Sequence, residues 1–344
     1  KRYQIQKVWR GERPQDGRFR EFTQADIDVV GLGELPFHYE VDLPLVMAEA
    51  LMSLPIPPVH VLVNNRKVVQ GICEGLGVDD VESALRGLDK LDKIGPEGVA
   101  EELAEAGLEQ PQIDVLLRMA QIRTEDSKHL RSEVNALGVS SETLTQGLDE
   151  LCALLEQAGA AMPGVVLADL KIARGLDYYT GSVYESEIVG HEDLGSICSG
   201  GRYDSLAKDG KRSYPGVGLS IGVSRLVSRI LSQDMVTASR KVPTCVVIAV
   251  ADEEQRQHCN ALATILRKRG IPTDVAPSAA KFGKQIRFAD KRGIPFVWFP
   301  GSEGEADTVK DIRSGEQVQA DIYNWQPPAE DLHPSIVPSQ DSND

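Results

Sequence analysis

The chain has 344 residues, 41% of them hydrophobic, and a formal net charge of −15 at pH 7. It contains no apolar run near the roughly 20 residues that a membrane span requires, and its length can support two or three hydrophobic cores. The acidic balance excludes a protein that holds nucleic acid over its whole surface, although a local basic patch can still bind it.

Charge is spread unevenly along the chain. Residues 1–20 carry seven lysines and arginines against two acids, whereas residues 79–114 carry eleven acids against three bases. The first segment is suited to an anionic ligand, and the second is typical of a solvated helical surface.

The cysteines and histidines lack the spacing of a metal site or a disulfide framework. There is no CxxC pair and no HxxxH or HExxH cluster, which argues against both. We therefore assign no metal ligand. Since the sequence also lacks a long apolar run, we expect a cytoplasmic protein that does not contact membranes. Each cysteine is predicted to be a small buried hydrophobe. The five are Cys73, Cys152, Cys198, Cys245 and Cys259.

The chain opens with the pattern of a β-hairpin. Polar and apolar residues alternate over 3–10 and 22–30, and the turn residues Pro14 to Gly17 stand between them. This pattern predicts two antiparallel strands joined by a basic loop. The next predicted elements are a helix at 40–54, a strand at 58–64 and a helix at 65–76.

From Asp79 to about Ala160 the pattern becomes helical. Leucines recur at helical spacing, for example at Leu85, Leu88 and Leu91. The segment is therefore predicted to be a helical insertion rather than a continuation of a sheet.

Strand patterns resume at 165–169 and 182–188, and a third strand leads into a helix at 221–233. With the opening hairpin they would form one antiparallel sheet with flanking helices. Past Lys241 strands and helices alternate as βαβαβ, which is typical of a small α/β domain. The predicted elements of that domain are a strand at 244–250, a helix at 252–269, a strand at 273–276, a helix at 281–292 and a strand at 296–299.

Three further local patterns lie in the C-terminal third. Asp252 and Gln255 have the spacing of a capping box, and residues 310–317 are typical of a hairpin. Residues 327–344 are rich in proline, serine and acids, which predicts a disordered tail.

The most specific segment is Arg174 to Gly181, which reads RGLDYYTG. Arginine presents a planar fork of donors to carboxylate or phosphate, glycine lets a backbone approach closely, and each tyrosine joins an aromatic wall to one polar tip. Such a combination is suited to recognising a small polar substrate beside a phosphate. A purely structural strand would rarely combine these residues.

Three other segments accompany this one. The nucleotide-binding motifs GxxxxGK[ST] and GxGxxG do not occur in the sequence, so a nucleotide would be held without a P-loop. The four ordered segments together resemble signatures of the histidyl-tRNA synthetase family, and the resemblance covers nearly the whole chain. RGLDYYTG resembles its histidine-specific signature, and two others resemble the second and third class II signatures. The three accompanying segments are VWRGERPQDGRFREFTQADIDVVG at 8–31, SICSGGRYDSL at 196–206 and GVGLSIGVSRL at 216–226.

The resemblance implies an α+β fold with a class II antiparallel sheet, flanking helices, a helical insertion and a C-terminal α/β anticodon-binding domain. In the family, the first class II signature, an acidic amino-acid-binding loop and much of the dimer interface precede the position of Lys1, so we expect these parts to be absent from the 344 residues. The expected divisions are the catalytic domain at 1–78 and 161–238, the helical insertion at 79–160, the anticodon-binding domain at 241–326 and the tail at 327–344.

The resemblance also implies an ATP site built from arginines. Arg10 would contact the α-phosphate, Arg225 the γ-phosphate, and Arg18 or Arg20 the remaining phosphate oxygens, since bidentate contacts from arginine to phosphate are strong. For Arg13 we expect solvated surface instead. Glu12 would accept from the adenine amino group, and Phe22 would stack on its ring.

For the amino acid, the resemblance implies that Gln24 holds the α-amino group and Asp28 one imidazole nitrogen, while Tyr179 holds the other. Gln24 and Asp28 lie four apart on a predicted strand, so their side chains share one face. A carboxylate and a phenol can contact both ends of a neutral imidazole. Tyr178 and Tyr203 would wall the pocket, or would be ordinary core residues.

By resemblance, Arg174 is expected to assist the chemical step directly. A cation fixed between the histidine carboxylate and the α-phosphate would lower the barrier to adenylate formation, whereas the alternative is a structural pair with Asp177. Ser224 stands where the family usually has glutamate, which is expected to change how Arg225 or magnesium is held. Gly200, Gly201 and Gly222 would permit a close approach of ligand, or tight turns.

The basic residues Lys281, Lys284 and Arg287 lie on or near one predicted helix. They are candidates for contacts with the tRNA backbone, and a solvated basic face is an equal alternative. The resemblance to the family implies a homodimeric histidine–tRNA ligase that uses ATP, Mg²⁺, L-histidine and tRNA(His). Two alternatives stay open: a non-charging paralogue that regulates ATP phosphoribosyltransferase, and a non-enzymatic tRNA-binding module.

Overall fold

The computed structural model describes residues 1–11, 13, 19–173, 178–302 and 304–339. The chain forms two compact units, Lys1–Gln233 and Asp234–Asp344. The second unit thus begins before Lys241, at which the sequence pattern changes.

Eight strands of the first unit form one sheet, in the order β1-β2-β10-β7-β6-β3-β5-β4. Neighbouring strands are antiparallel except β3 and β5, which are parallel because the helical insertion connects them as a long crossover. The expected antiparallel sheet is confirmed apart from this pair. The strands are β1 (Arg2–Trp9), β2 (Glu21–Val30), β3 (Val59–Asn65), β4 (Arg123–Thr124), β5 (Val166–Asp169), β6 (Ser182–Ile188), β7 (Cys198–Tyr203) and β10 (Gly216–Ile221), with a separate ribbon of β8 (Lys208–Asp209) and β9 (Arg212–Ser213).

The opening hairpin has the register that alternation predicts. Arg2 pairs with Asp28 and Trp9 with Glu21, so even-numbered residues of β2 share one face of the sheet. The other face of β2 includes the buried Val29. The hairpin prediction is confirmed.

In the described part of this unit, eight α-helices flank the sheet, and the leucine-rich segment is helical as predicted. Its one departure is β4, which pairs with β5 and extends the sheet edge. In the middle of α4, Gly95 has φ 72° beside Pro96 and interrupts the helix, a conformation that favours glycine. The helices are α1 (His38–Met52), α2 (Arg66–Gly75), α3 (Val81–Leu88), α4 (Leu91–Glu105), α5 (Gln110–Met119), α6 (Ser127–Asn135), α7 (Glu142–Ala161) and α8 (Val223–Ser232).

Close packing of α2 on α7 holds the insertion against the eight-stranded sheet. A Cβ on Gly71 would lie 2.2 Å from the Leu144 nitrogen, and one on Gly147 would lie 2.6 Å from the Val68 nitrogen. The leucines that predicted α7, including Leu148, are buried. The insertion is therefore fixed to the sheet by its last helix.

The second unit is an α/β domain whose five-stranded sheet has the order β13-β12-β14-β15-β16. The predicted βαβαβ alternation is confirmed, and β15 and β16 form the predicted hairpin. Its core centres on the fully buried Trp298. The elements are β11 (Val236–Ala238), β12 (Val246–Ile248), α9 (Arg256–Lys268), β13 (Thr273–Val275), α10 (Phe282–Arg292), β14 (Phe296–Phe299), β15 (Thr308–Asp311), β16 (Gln317–Gln319), α11 (Ala329–Leu332) and β17 (Ile336–Pro338).

One local prediction in this unit is wrong, and another does not hold for the part of the tail that the structure describes. The Asp252 carboxylate accepts the Glu254 N–H at 3.0 Å in a short 3₁₀ turn, so α9 begins later, at Arg256, and there is no capping box with Gln255. The described part of the tail is ordered, because β17 pairs with β11. Backbone pairing offsets a composition that would otherwise favour disorder.

The five cysteines are free and buried, as predicted. Burial raises the pKa of the Cys73 thiol to about 12 and that of Cys245 to about 11, which keeps both protonated. In the described part of the chain, no helix has the length and apolar character to cross a membrane.

Candidate active site

A cleft of about 380 Å³ opens over the central strands of the eight-stranded sheet. Its floor comes from β2, β6, β7 and β10, and its rim from the hairpin loop, the start of α8 and the helical insertion. Six of the side chains singled out by sequence line it: Arg10, Phe22, Gln24, Tyr178, Tyr179 and Arg225.

A polar row crosses the floor of the cleft. On four neighbouring strands, the residues paired across from one another are Asp26, Ser220, Ser199 and Glu185, in that order. Their side chains lie on one face of the sheet, because paired residues share a face. The Ser220 hydroxyl donates to Asp26 and accepts from Gln24 Nε2 at 2.5 Å. The floor therefore holds Gln24 in a fixed position and presents acceptors to a ligand.

Two residues further along the same strands, the residues beside Asp28 are glycines. Asp28 pairs with Gly218, which pairs with Gly201. A Cβ on Gly218 would lie 2.1 Å from Asp28 Oδ1, so no larger residue fits there while Asp28 keeps its position. The Tyr203 hydroxyl donates to the same oxygen at 2.8 Å. Asp28 is thus a positioned acceptor in a space that the glycines leave open.

Two tyrosines of the RGLDYYTG segment close this space. The ring of Tyr179 packs on Gly201, on which a Cβ would lie 2.8 Å from the ring, and its centroid is 4.3 Å from that of Tyr178. Burial raises the pKa of Tyr179, and the neighbouring Tyr178, Tyr203 and Asp28 raise it further. The Tyr179 phenol is therefore a protonated donor at neutral pH.

Tyr203 is a second protonated phenol beside the same carboxylate. Burial raises the pKa of Tyr203, and its hydrogen bond to Asp28 raises it further. The sequence suggested a pocket wall or a core residue for Tyr203. The structure adds a function that neither alternative contains, which is to orient Asp28.

The opposite end of the cleft is cationic and aromatic. The guanidinium carbon of Arg10 lies 5.2 Å from the centroid of the Phe22 ring, and both residues line the cleft. The Arg10 N–H donates to the Arg20 carbonyl at 2.9 Å, so the hairpin continues beyond its last regular pair. Arg20 is exposed and does not line the cleft.

Arg225 reaches the cleft from the first turn of α8. Its Nη1 donates to the Ser196 carbonyl at 2.7 Å and its Nη2 to the Leu194 carbonyl at 2.5 Å. It therefore holds the chain that leads into β7, a contact that the sequence did not predict. A phosphate at this site would share the donors of the guanidinium with these carbonyls.

Ser224, the neighbour of Arg225, connects α8 to β2. Its hydroxyl accepts the Thr23 N–H at 2.9 Å. Serine at this position, where the family resemblance led us to expect glutamate, thus makes a direct hydrogen bond to the strand that carries Gln24 and Asp28. This contact fixes the start of α8, and with it Arg225, relative to the floor of the cleft.

Arg174, Asp177, Glu12 and Arg18 lie outside the described residues. Their assigned functions remain predictions from the sequence. Of the three glycines singled out, Gly201 faces the site by register and Gly222 lines the cleft, whereas a Cβ on Gly200 would meet the Leu219 side chain. Gly200 therefore serves packing below the floor, although its backbone also lines the cleft.

The insertion contributes two cleft residues that sequence reasoning missed. Asp89 at the end of α3 and Lys93 in the first turns of α4 line the cleft together with Arg10. Both belong to a segment whose charge pattern indicated only solvated helix. No local signal marks them, because the fold of the insertion alone places them there.

In the second unit, the basic residues named from sequence lie on one helix. Lys281 precedes α10, and Lys284 and Arg287 lie within it, all three exposed. Gln285 on the opposite face is buried and bonds the backbone of Val250 through both its amide oxygen and nitrogen. The helix is therefore anchored on one face and cationic on the other.

Comparison with known proteins covers both units. A family model described as histidyl-tRNA synthetase matches residues 3–226, and one described as an anticodon binding domain matches residues 244–324. The histidine–tRNA ligase of Micrococcus luteus is 56% identical over 345 residues, which cover 99% of this chain and 75% of that protein. The ligase of Cutibacterium acnes is 53% identical, over 98% of this chain and 76% of that protein.

Solved structures are similar as well. The crystal structure of histidyl-tRNA synthetase from Nostoc sp. PCC 7120 superposes with a TM-score of 0.81 at 34% identity, covering 93% of this chain and 75% of that one. A Bacillus halodurans structure, titled as an ATP phosphoribosyltransferase regulatory subunit/histidyl-tRNA synthetase, has a TM-score of 0.63 at 20% identity, over 82% of this chain and 70% of that one. The second likeness indicates a common fold only.

Proposed function

Because the chain belongs to the histidyl-tRNA synthetase family, we propose that it activates L-histidine with ATP and transfers the histidyl group to the 3′ end of tRNA(His). The family expected from the four signatures is confirmed. The two alternatives are less well supported, because relatives named as ligases are more than 50% identical to this chain over nearly its whole length.

The observation that carries this function is the order of side chains along one face of β2. Phe22, Gln24 and Asp28 follow one another on that face, with Arg10 at the Phe22 end and Tyr203 at the Asp28 end. At roughly 3.3 Å per residue, Phe22 and Asp28 are about 20 Å apart, which suits an extended aminoacyl-nucleotide. One strand thus presents a nucleotide end and an amino-acid end.

In the first step, a histidine carboxylate oxygen attacks the α-phosphorus of ATP. The new bond is carboxylate oxygen to phosphorus, the bond to the bridging β-phosphate oxygen breaks, and pyrophosphate leaves with both electrons of that bond. Negative charge gathers on the α-phosphoryl oxygens, where the guanidinium of Arg10 would neutralise it, while Arg225 would hold the γ-phosphate of the departing pyrophosphate. A ribose hydroxyl of tRNA then attacks the carbonyl carbon, and AMP leaves.

At the other end of the cleft, Asp28 accepts from one imidazole nitrogen and the Tyr179 hydroxyl donates to the other. Neutral imidazole has one donor and one acceptor, so this pair matches a single tautomer. Gln24 receives the α-amino group. A side chain that lacks either imidazole nitrogen would leave Asp28 or Tyr179 unpaired, which is the physical basis of rejection.

Magnesium accompanies ATP in this proposal. Among the described residues, no three histidine, cysteine, aspartate or glutamate side chains gather into a metal site. The ion would be bound mainly by the phosphates of ATP and by water, as Mg²⁺ usually is in nucleotide sites. Its contribution is to screen phosphate charge, while the arginines orient the phosphates.

Transfer to tRNA is assigned to both units. The exposed basic side chains of α10 would contact tRNA phosphates. The domain matches an anticodon-binding model, and these side chains lie along one helix that is held in place by its buried face. We further propose that the protein acts in the cytoplasm as a homodimer, as the family resemblance implies.

The decisive test of this function is pyrophosphate exchange into ATP with each of the twenty amino acids. Histidine alone is expected to support exchange, because only its side chain satisfies Asp28 and Tyr179 together. Exchange with no amino acid, in protein that still binds histidine by calorimetry, would instead support the regulatory alternative.

Removing the second unit is expected to separate the two steps. A chain that ends at Gln233 keeps its own compact core, and we expect it to retain histidine-dependent exchange within about tenfold. Aminoacylation of tRNA(His) should fall by at least about 100-fold, since the phosphate contacts of α10 are lost. Both rates are measured on the same preparation, after its cooperative melting has been verified. An equal fall in both would overturn this division of labour.

A further inference from the structure

A buried carboxylate lies behind the amino-acid end of the cleft and belongs to none of the groups described above. Glu40, in the first turn of α1, is 2% exposed. Its Oε1 accepts from Arg202 Nη1 at 2.7 Å, and its Oε2 accepts the Ser182 N–H at 3.1 Å. An ionised group at this depth is costly unless each oxygen has a partner, and here each has one.

Arg202 extends the network from α1 to the RGLDYYTG segment. Its Nε donates to Asp204 at 3.1 Å, and its Nη1 also donates to the Leu35 carbonyl at 3.2 Å. Its own carbonyl accepts the Thr180 N–H at 2.8 Å, and the Thr180 hydroxyl donates to Asp204 at 2.5 Å. One backbone bond and one side-chain bond therefore connect residue 180 to β7 and to the residue that follows it.

The space between these groups is tight at position 181, so a larger residue there would displace the ion pair. A Cβ on Gly181 would lie 2.9 Å from Arg202 Cδ and 3.0 Å from Glu40 Oε2. The last glycine of RGLDYYTG thus leaves room for the ion pair. The requirement is steric and concerns Glu40 and Arg202 rather than the ligand.

Two tyrosines of the site are immediate neighbours of this network, and one of them, Tyr179, lines the cleft. Tyr179 directly precedes Thr180, and Tyr203 directly follows Arg202. Tyr203 in turn orients Asp28. A shift of the Glu40–Arg202 pair would therefore move Tyr179 relative to Tyr203 and Asp28.

From this geometry we propose that Glu40 and Arg202 are positioning residues for amino-acid selection. They fix the separation between Tyr179 on one segment and the Tyr203–Asp28 pair on the other. This inference rests on the proposed function, because it concerns how that same site holds histidine. Neither residue lines the cleft, so both act through the tyrosines.

Glu40→Gln tests the proposal with little change of shape. The amide has one oxygen, so either Arg202 or the Ser182 N–H loses its acceptor and the tyrosines shift. We expect the KM for histidine in pyrophosphate exchange to rise about 10- to 100-fold, since a displacement near 1 Å can cost about 100-fold. The KM for ATP should stay within about twofold, because Arg10 and Phe22 lie at the other end of β2.

Glu187→Gln is the matched control for losing a buried charge. Glu187 is also a mostly buried carboxylate of this sheet, paired with Arg123 on the edge strand β4. We expect it to lower the melting temperature without raising the KM for histidine. Arg202→Lys keeps the charge and is expected to be milder than Arg202→Met.

The possible outcomes distinguish failure of the proposed function from failure of the positioning role given to Glu40 and Arg202. Absence of histidine-dependent exchange in the wild-type protein overturns the proposed function and this inference with it. An active wild type in which Glu40→Gln changes both KM values alike, or neither, overturns the inference alone. If Glu40→Gln does not fold, Thr180→Val decides, because it removes only the hydroxyl bonded to Asp204 and should still raise the KM for histidine above that of the wild type.

Discussion

Replacing Asp28 by alanine is expected to raise the KM for histidine by roughly 10- to 150-fold and to leave the KM for ATP nearly unchanged. A hydrogen bond to a charged group contributes about 1.5–3 kcal/mol, and a tenfold change corresponds to about 1.36 kcal/mol. The Tyr203 hydroxyl also loses its acceptor. Both KM values are measured by pyrophosphate exchange.

Two further variants sharpen the Asp28 test. Gly218→Ala keeps the carboxylate but places a methyl group within 2.1 Å of its present position, so it should reproduce the defect in histidine binding. Asp209→Ala removes an exposed acid from the β8–β9 ribbon and should change neither KM. An unchanged KM for histidine in Asp28→Ala would exclude Asp28 from recognition of the imidazole.

Replacing Arg10 by alanine is expected to reduce the rate constant of adenylate formation by about 100- to 1,000-fold, the usual cost of removing a group that stabilises developing charge. The guanidinium lies beside Phe22 on the rim of the cleft, where the α-phosphate would be bound. The rate is measured as single-turnover formation of histidyl-adenylate at saturating histidine.

Arg13→Ala provides the matched control for Arg10. Both arginines belong to the same loop region, but Arg13 is exposed and does not line the cleft. It should keep at least about half of the wild-type rate. Equal losses in the two variants would point to a general effect of loop charge rather than a specific phosphate contact.

The structure distinguishes what local pattern could predict from what it could not. The hairpin of β1 and β2 follows from alternation within 30 residues, and α7 from leucines at helical spacing, because both signals arise within the element itself. The parallel pairing of β3 with β5 has no such signal. The two strands are separated by the whole insertion, and their pairing depends on how α2 and α7 pack.

The same distinction holds within the site. By resemblance the sequence predicts that Gln24, Asp28 and Tyr179 bind histidine. The register places Gln24 and Asp28 on one face of β2, whereas Tyr179 lies in an irregular segment and packs on Gly201. The sequence did not predict that Ser224 would accept a hydrogen bond from Thr23, or that Arg225 would hold two carbonyls. Those partners lie far away in the chain or on irregular backbone, where residue type alone does not indicate a contact.

The sequence by itself determined the family, the main elements and the chemical character of the site, because signature residues and periodicity are properties of short segments. The tertiary structure alone decided which groups meet: Glu40 with Arg202, 162 residues apart, and Tyr203 with Asp28, 175 residues apart. Such contacts depend on the pairing order of the strands and on the close approach that glycines 181, 201 and 218 allow. A buried ion pair is stable only where the surrounding fold supplies hydrogen-bond partners to both charges. Those partners come from distant parts of the chain, so no periodic pattern in the sequence predicts them.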